Sequence, residues 1–320
     1  SATPTDGREF TPNEFVVVDN SVWTVTHGGT IGVVDISDPH GLNERPVRRM
    51  AFPPITQAYG VAFGNSKFYV AEGRLGVGVF DADPPNFREI KHLSVADIDR
   101  LTTFSFAPDH GVFSVAAIGD VLYVLVWPDV LLALNMTNPL APTRLREIEL
   151  PPMHGSRLLQ TGHDALLVYE EGGTSLGLLD VRHPKAPVLE TVVTVGARLD
   201  GLKTTYDRFA AIQSSAGWIV VEVRTPQSAT EHLELSEPRV LIQNGNIAFT
   251  VSRTYSMGTY GISKFDSLDP SEPPYFMELL DSVAAQGQGA MFMHDPDGPS
   301  GSEPDYVFNS YQGGFRAYAP

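Results

Sequence analysis

Tyr59, His110, His154, Asp200, Glu237 and Gln288 each stand immediately before a short apolar run, and glycine follows five of them, at positions 60, 111, 155, 201 and 289. A second polar set, His27, Glu72, Glu170, Gln213, Arg253 and Tyr311, marks the far ends of other apolar runs. Imidazoles and carboxylates without any thiolate suit a hard or borderline divalent ion, so His110, His154, Asp200 and Glu237 would hold Ca, Mn or Zn. Such an ion would polarise a carbonyl or activate water, with Tyr59 or His27 moving protons. No organic cofactor motif is evident. Residues spread from Tyr59 to Gln288 share chemistry only if the fold gathers them, which puts the weight on the segments between them.

Those segments repeat. In Leu166–Val193, an apolar run (Leu166–Tyr169) leads through a Gly-containing turn to a second run (Leu176–Val181), a Pro-x-x-Pro corner (Pro184, Pro187) and a third run (Val188–Val193). Short Val/Leu-rich runs punctuated by Gly and Pro are strands and turns. A polar residue near the end of the second run is followed four places later by proline in six units: Asp35/Pro39, Asp81/Pro85, Asn135/Pro139, Asp180/Pro184, Glu222/Pro226 and Asp266/Pro270. A further proline (Pro46, Pro142, Pro187, Pro273) turns four of these corners outward to a last strand. The second and fifth units lack it, and the sixth has an enlarged inner turn, Arg253–Thr259. Anchor spacings of 46, 54, 45, 42 and 44 residues match four-stranded blades of a β-propeller and exceed leucine-rich or ankyrin periods. The expected fold is therefore all-β, a single seven-bladed β-propeller domain of four-stranded antiparallel blades over residues 1–320.

The stretches VVDISDP, ALNMTNPLAP and LLDVRHPKAP resemble the LVIVD-type repeats of secreted and surface β-propellers, and the resemblance runs along almost the whole chain. It implies the architecture and a location outside the cytoplasm, extracellular or periplasmic. It does not imply one function. A start at Ser1 without Met reads as a trimmed mature form, and the absence of cysteine is compatible with export.

Composition narrows the partners. With 22 basic and 38 acidic residues the net charge is −16, a field that repels phosphate backbones and argues against nucleic acid. No apolar stretch approaches the roughly 18 residues needed for a spanning helix. The last unit reads as only three strands, Ala290–His294, Tyr306–Asn309 and Phe315–Ala319, which would leave an open edge. The segment Ser1–Phe10 is expected to fill it, closing the seventh blade.

In a propeller the innermost strand of each blade begins on the face that carries the turn between its second and third strands, so both polar sets converge at one mouth of the central channel. Two insertions lie on that side: Ala96–Asp109, with Phe104 and Phe106, and Arg253–Thr259, with Arg253 and Tyr255. Together with Glu72, Glu170, Gln288 and Tyr311 they would line a pocket for a small polar molecule, a glycan or a protein. Two readings follow: a non-catalytic binding or surface scaffold protein with a ligand or metal ion at that mouth, or a metal-supported hydrolase or lyase using His110, His154, Tyr59 and His27. Other motif matches fit structural roles. Gly173–Gly177 matches G-x-S-x-G but sits in a hairpin rather than a strand-to-helix elbow. Asn135, in a glycosylation sequon, occupies the corner position and is expected to be tied into the turn. The acidic loop from His294 belongs to the opposite face.

Overall fold

The computed structural model describes residues 12–18, 21–26, 30–35, 48–51, 58–82, 88–104, 110–150, 157–161, 164–195, 197–206, 209–214, 217–225, 228–235, 240–244, 247–254, 259–265, 275–276, 278–286, 291–294 and 306–319. The segment Ser1–Phe10 lies outside them.

The apolar runs form antiparallel strands in the expected order. The first sheet holds β1 (Pro12–Val18), β2 (Ser21–Thr26), β3 (Thr30–Asp35) and β4 (Arg48–Ala51). The second holds β5 (Gly60–Gly64), β6 (Lys67–Ala71), β7 (Gly76–Asp81) and β8 (Arg88–Ser94), and a short helix, α1 (Val95–Asp99), follows it. The third is β9 (Gly111–Ile118), β10 (Val121–Trp127), β11 (Val130–Asn135) and β12 (Thr143–Glu149). The fourth is β13 (Arg157–Thr161), β14 (Ala165–Tyr169), β15 (Ser175–Asp180) and β16 (Val188–Thr194). The fifth comprises β17 (Leu199–Tyr206), β18 (Phe209–Ser214), β19 (Gly217–Thr225) and β20 (Ser228–Leu235). The sixth comprises β21 (Val240–Asn244), β22 (Ile247–Thr254), β23 (Thr259–Phe265) and β24 (Tyr275–Phe276). A last, three-stranded sheet contains β25 (Glu278–Gln286), β26 (Met291–His294) and β27 (Tyr306–Ala319).

First strands pack against first strands in chain order: β1 on β5, β5 on β9, β9 on β13, β13 on β17 and β17 on β21, with β26 against both β17 and β21. The core lies between sheets. Val61, Phe68, Val70 and Phe80 meet Trp23 and Val25 of the first sheet, whereas Tyr69, Ala71, Val77 and Val79 meet Leu122, Val124 and Leu132 of the third. A second strand therefore buries both faces, which is why β10 and β14 are continuous apolar runs rather than alternating ones. The outermost strands do alternate: β16 keeps Val188, Glu190, Val192 and Thr194 exposed and turns the residues between them inward.

The corners confirm the repeat. Asn135 Oδ1 accepts hydrogen bonds from Thr137 N–H (3.1 Å) and Thr137 Oγ1 (2.7 Å), so the sequon asparagine is part of the turn. Asp180 Oδ1 accepts from Arg182 N–H at 2.9 Å. The next residue donates back to the preceding hairpin, Met136 N–H to Asp120 O at 2.7 Å and Val181 N–H to Asp164 O at 2.8 Å. Two residues before the anchor the pairing of third and fourth strands slips in four sheets, between Val79 and Phe80, Ala133 and Leu134, Leu178 and Leu179, and Val220 and Val221. A bulge at one fixed place adds twist to each sheet before its outer edge.

Three expectations change. Glu222 lies inside β19, whose end turns tightly into β20 with Thr225 opposite Ser228, so the fifth unit has a hairpin in place of a corner. The expected last strand of the sixth unit, Tyr275–Leu280, is divided: β24 stays with β23, while residues from Glu278 onward enter β25 and pair with β27. The expected strands Tyr306–Asn309 and Phe315–Ala319 are one continuous strand, because Gly313 and Gly314 pair with Ala285 and Ala284 instead of forming a turn.

Candidate functional site

The turns between second and third strands reach across to the first strand of the following sheet. Gly73 N–H donates to Val112 O at 2.8 Å, and the Gly73 carbonyl accepts from Val112 N–H at 2.9 Å. Two sheets later the same device recurs, with Gly172 N–H to Leu199 O at 2.7 Å and Leu199 N–H to Gly173 O at 2.8 Å. These bridges hold inner-strand starts and turns on one face. They also account for the glycine at position 111: a Cβ there would stand 2.8 Å from the Gly73 carbonyl carbon and 3.0 Å from the Arg74 nitrogen. Crowding by the neighbouring turn excludes a side chain there.

Tyr59 is half-buried on this face. Its ring covers Gly73, which has φ +57°, and meets the Phe113 ring edge-on with centroids 4.8 Å apart. Arg157, the first residue of β13, donates from Nη1 to the Tyr59 carbonyl at 3.1 Å and from Nε to Glu171 Oε2 at 3.0 Å. Inner-strand starts of the second and fourth sheets thus touch across the third. His110, next to Gly111, is half-buried beside the Gly73 bridge. Glu170 is also half-buried, at the start of the turn that carries Glu171.

Glu72 is the buried acid of the face, only 2 % exposed. Its Oε2 lies 3.7 Å from His92 Nδ1, which is 3.3 Å from Glu89 Oε1, and His92 Nε2 is 2.9 Å from the Leu75 carbonyl. Burial pushes the Glu72 carboxyl up, the His92 charge pulls it back and Glu89 raises it, with a net rise to about 7.

Of the residues singled out in the sequence, Tyr59, His110, Glu72 and Glu170 thus share one face. Phe104 is 40 % exposed, and its neighbour Thr103 is tied to the outer strand β12 through Glu147, N–H to Oε2 at 2.9 Å and Oγ1 to Oε1 at 2.7 Å. The insertion therefore starts as α1, with Ile98 buried in the core and Ser94 and Asp97 forming a reciprocal cap, and continues toward the rim. Asp200 is within β17, which begins one residue earlier than it. Arg253 pairs with Tyr260 near the end of β22, which shortens the enlarged turn to residues 255–258, and Tyr311 lies inside β27 rather than at a strand end. His27, His154, Glu237, Gln288, Tyr255 and Phe106 lie outside the described residues. Among the described residues no group of three or more His, Cys, Asp or Glu is placed to hold a metal ion.

Sequence reasoning passed over Arg157, Glu171, His92 and Glu89. Arg157 stands two residues after Gly155, as Phe113 stands after Gly111, and reading that position along the repeat would have found it.

The chain is a β-propeller by likeness to solved structures. It matches the Cps50 (Swd1) β-propeller domain of Myceliophteria thermophila with a TM-score of 0.60 and 11 % identity, covering 98 % of each chain. It matches virginiamycin B lyase from Staphylococcus aureus with a TM-score of 0.61 and 11 % identity, over 98 % of this chain and 97 % of that one. A streptogramin B lyase gives a TM-score of 0.61 and 12 % identity, over 97 % and 93 %. No family model and no curated protein matches. At such identity the likeness carries the fold and not the reaction.

Proposed function

We propose that the chain is a seven-bladed propeller, closed by Ser1–Phe10, that acts as an exported binding or surface scaffold protein of the LVIVD type. Its ligand is a small polar molecule with an acidic group, received on the face built by the inner-strand starts and the turns. The observation that carries this reading is Arg157, a guanidinium set between the Tyr59 carbonyl and Glu171 on that face, in a chain of net charge −16. Arg presents a planar fork suited to a carboxylate, and Glu171 is an exposed partner that a ligand carboxylate can replace. The seven sheets in chain-order contact support the blade count.

The fold neighbours include both a propeller domain and lyases, so architecture does not choose between a scaffold and a metal-supported hydrolase or lyase, and the Arg157 guanidinium is what favours the binding reading. Of the ring His110, His154, Asp200 and Glu237 only His110 has a described side chain, so the ion enters as an arm of the experiment. Thermal shift of wild type against a panel of mono- and dicarboxylates, uronic acids and neutral sugars should give a stabilising acid, because a ligand binding only the folded state raises the melting point. Arg157→Gln should abolish that shift without lowering the ligand-free midpoint by more than a few degrees. A shift that survives Arg157→Gln, or none with any acid, overturns the proposal. A response to Ca, Mn or Zn that disappears in His110→Ala/His154→Ala would support the metal reading.

A further inference from the structure

The Glu72 carboxylate is held in an arrangement that the binding reading leaves unexplained. Its Oε1 is buried and has no hydrogen-bond partner among the described residues. That oxygen faces Gly78 and the Phe80 ring: a Cβ on Gly78 would stand 2.3 Å from Oε1 and 2.6 Å from Phe80 Cε2. Only a glycine at position 78 leaves room for the carboxylate, and no donor on β7 reaches Oε1. The titratable neighbours come from β8, His92 and Glu89; Arg74, on the same turn, is exposed. His27, at the equivalent turn of the first sheet, lies outside the described residues.

His92 fixes the proton count. Its Nε2 sits 2.9 Å from the Leu75 carbonyl, which only accepts, so Nε2 carries hydrogen in either charge state. Nδ1 then faces two carboxylates, Glu72 at 3.7 Å and Glu89 at 3.3 Å. Of these groups the buried Glu72 carboxylate is the one whose charge has no other compensation.

The turn that begins at Glu72 is the one that forms the bridge. Glu72 N–H donates to Gly76 O at 2.9 Å, Leu75 N–H donates to Glu72 O at 3.1 Å, and Gly73 between them exchanges both hydrogen bonds with Val112 beneath the Tyr59 ring. We propose that Glu72, His92 and Glu89 form a proton-binding cluster that regulates the binding face: protonated, it holds the Glu72–Gly76 turn and the Gly73–Val112 bridge closed, and deprotonated, it loosens them. The inference rests on the reading of this face as the binding surface, but its test needs no ligand.

The sense follows from the raised Glu72 carboxyl. The folded state retains a proton that the unfolded chain releases at about pH 4.5, so between that pH and about 7 the folded state loses stability as pH rises. Amide hydrogen exchange, corrected for the intrinsic rate, should show protection of Gly73 and Val112 falling by about tenfold or more from pH 5 to pH 8, the change that corresponds to one or more units of linked pKa. The equivalent bridge at Gly172 and Leu199, whose turn acid Glu170 is only half-buried, serves as the control within the molecule and should keep its protection. Glu72→Gln, which has the same shape and does not titrate there, should flatten the profile at Gly73. Glu89→Gln at the partly exposed rim removes a charge that raises the Glu72 pKa, and should move the loss of protection to lower pH. A parallel fall at both bridges, an unaltered profile in Glu72→Gln, or no displacement in Glu89→Gln would overturn the proposal. Because these readings are made without ligand, they stand or fall independently of the carboxylate screen.

Discussion

Replacing Asp180 by alanine tests whether the recurrent corner acid is a structural device. Asp180 Oδ1 receives Arg182 N–H at 2.9 Å, and the Arg182 guanidinium caps both carboxylate oxygens, with Nε at 3.1 and 3.0 Å. The two contributions differ. Loss of a turn acceptor comparable to a helix cap costs about 0.5–2 kcal/mol, whereas an exposed ion pair is worth about 0–1 kcal/mol, and the Arg182 side chain is 50 % exposed. Asp180→Ala should therefore lower the unfolding free energy by about 1–2 kcal/mol, Arg182→Ala should cost clearly less, and Asp180→Asn, which keeps an acceptor, should cost an intermediate amount. Urea unfolding at neutral pH reads all three. The acid limb adds a sign. Bonds from Arg182 hold the Asp180 carboxyl below its ordinary value, so its contribution is complete above the unfolded pKa of about 3.9 and is lost as pH falls through the lower folded one. The gap between wild type and Asp180→Ala should be constant from pH 5 to 7 and shrink below about pH 4. If Arg182→Ala costs as much as Asp180→Ala, the guanidinium and not the turn carries the corner, and the reasoning fails. A stable Asp180→Ala protein that no longer binds the ligand would refute its structural assignment.

Two further perturbations address the ring. Deleting Ser1–Phe10 should lower the thermal midpoint of the whole domain cooperatively, by a sizeable part of the roughly 5–15 kcal/mol typical of a domain; an unchanged midpoint would make that segment a tail. Gly111→Ala places a Cβ 2.8 Å from the Gly73 carbonyl carbon and should cost about 1–3 kcal/mol, read by urea unfolding together with faster exchange at the Gly73 amide; a neutral substitution would mean that the bridge is not tightly fitted.

Architecture was legible where one residue type must recur to make one bond. The corner needs an acceptor followed by a proline, so Asp35, Asn135 and Asp180 announce it, and the bonds at Asn135 and Asp180 are the expected ones. The bulge two residues earlier left no trace, because it falls between buried apolar residues such as Leu178 and Leu179, whose types answer to packing and not to register. The last sheet was misread for a related reason. Gly313–Gly314 after a polar pair looks like a hairpin turn, yet opposite Ala284 and Ala285 two glycines simply pair small residues with small residues inside a strand.

The face was legible only in part, and the division has a physical basis. Positions just before first strands and just after second strands were found because the repeat marks them, which is how Tyr59 and His110, and Glu72 and Glu170, were identified. Partners were not found, because a hydrogen bond between sheets joins residues such as Arg157 and Tyr59 that no local spacing connects. The same limit applies to His92, which reaches Glu72 across β7 over Gly78. A glycine three residues before the anchor recurs as Gly32, Gly78 and Gly177, and the residues after the second strands of these sheets are His27, Glu72 and Glu170. In the second unit Gly78 leaves a slot below the turn residue Glu72, and what fills such a slot can change without altering the fold. In this chain the second unit fills it with an acid beside an imidazole, and that choice, invisible to the period itself, is where its chemistry departs from its scaffold.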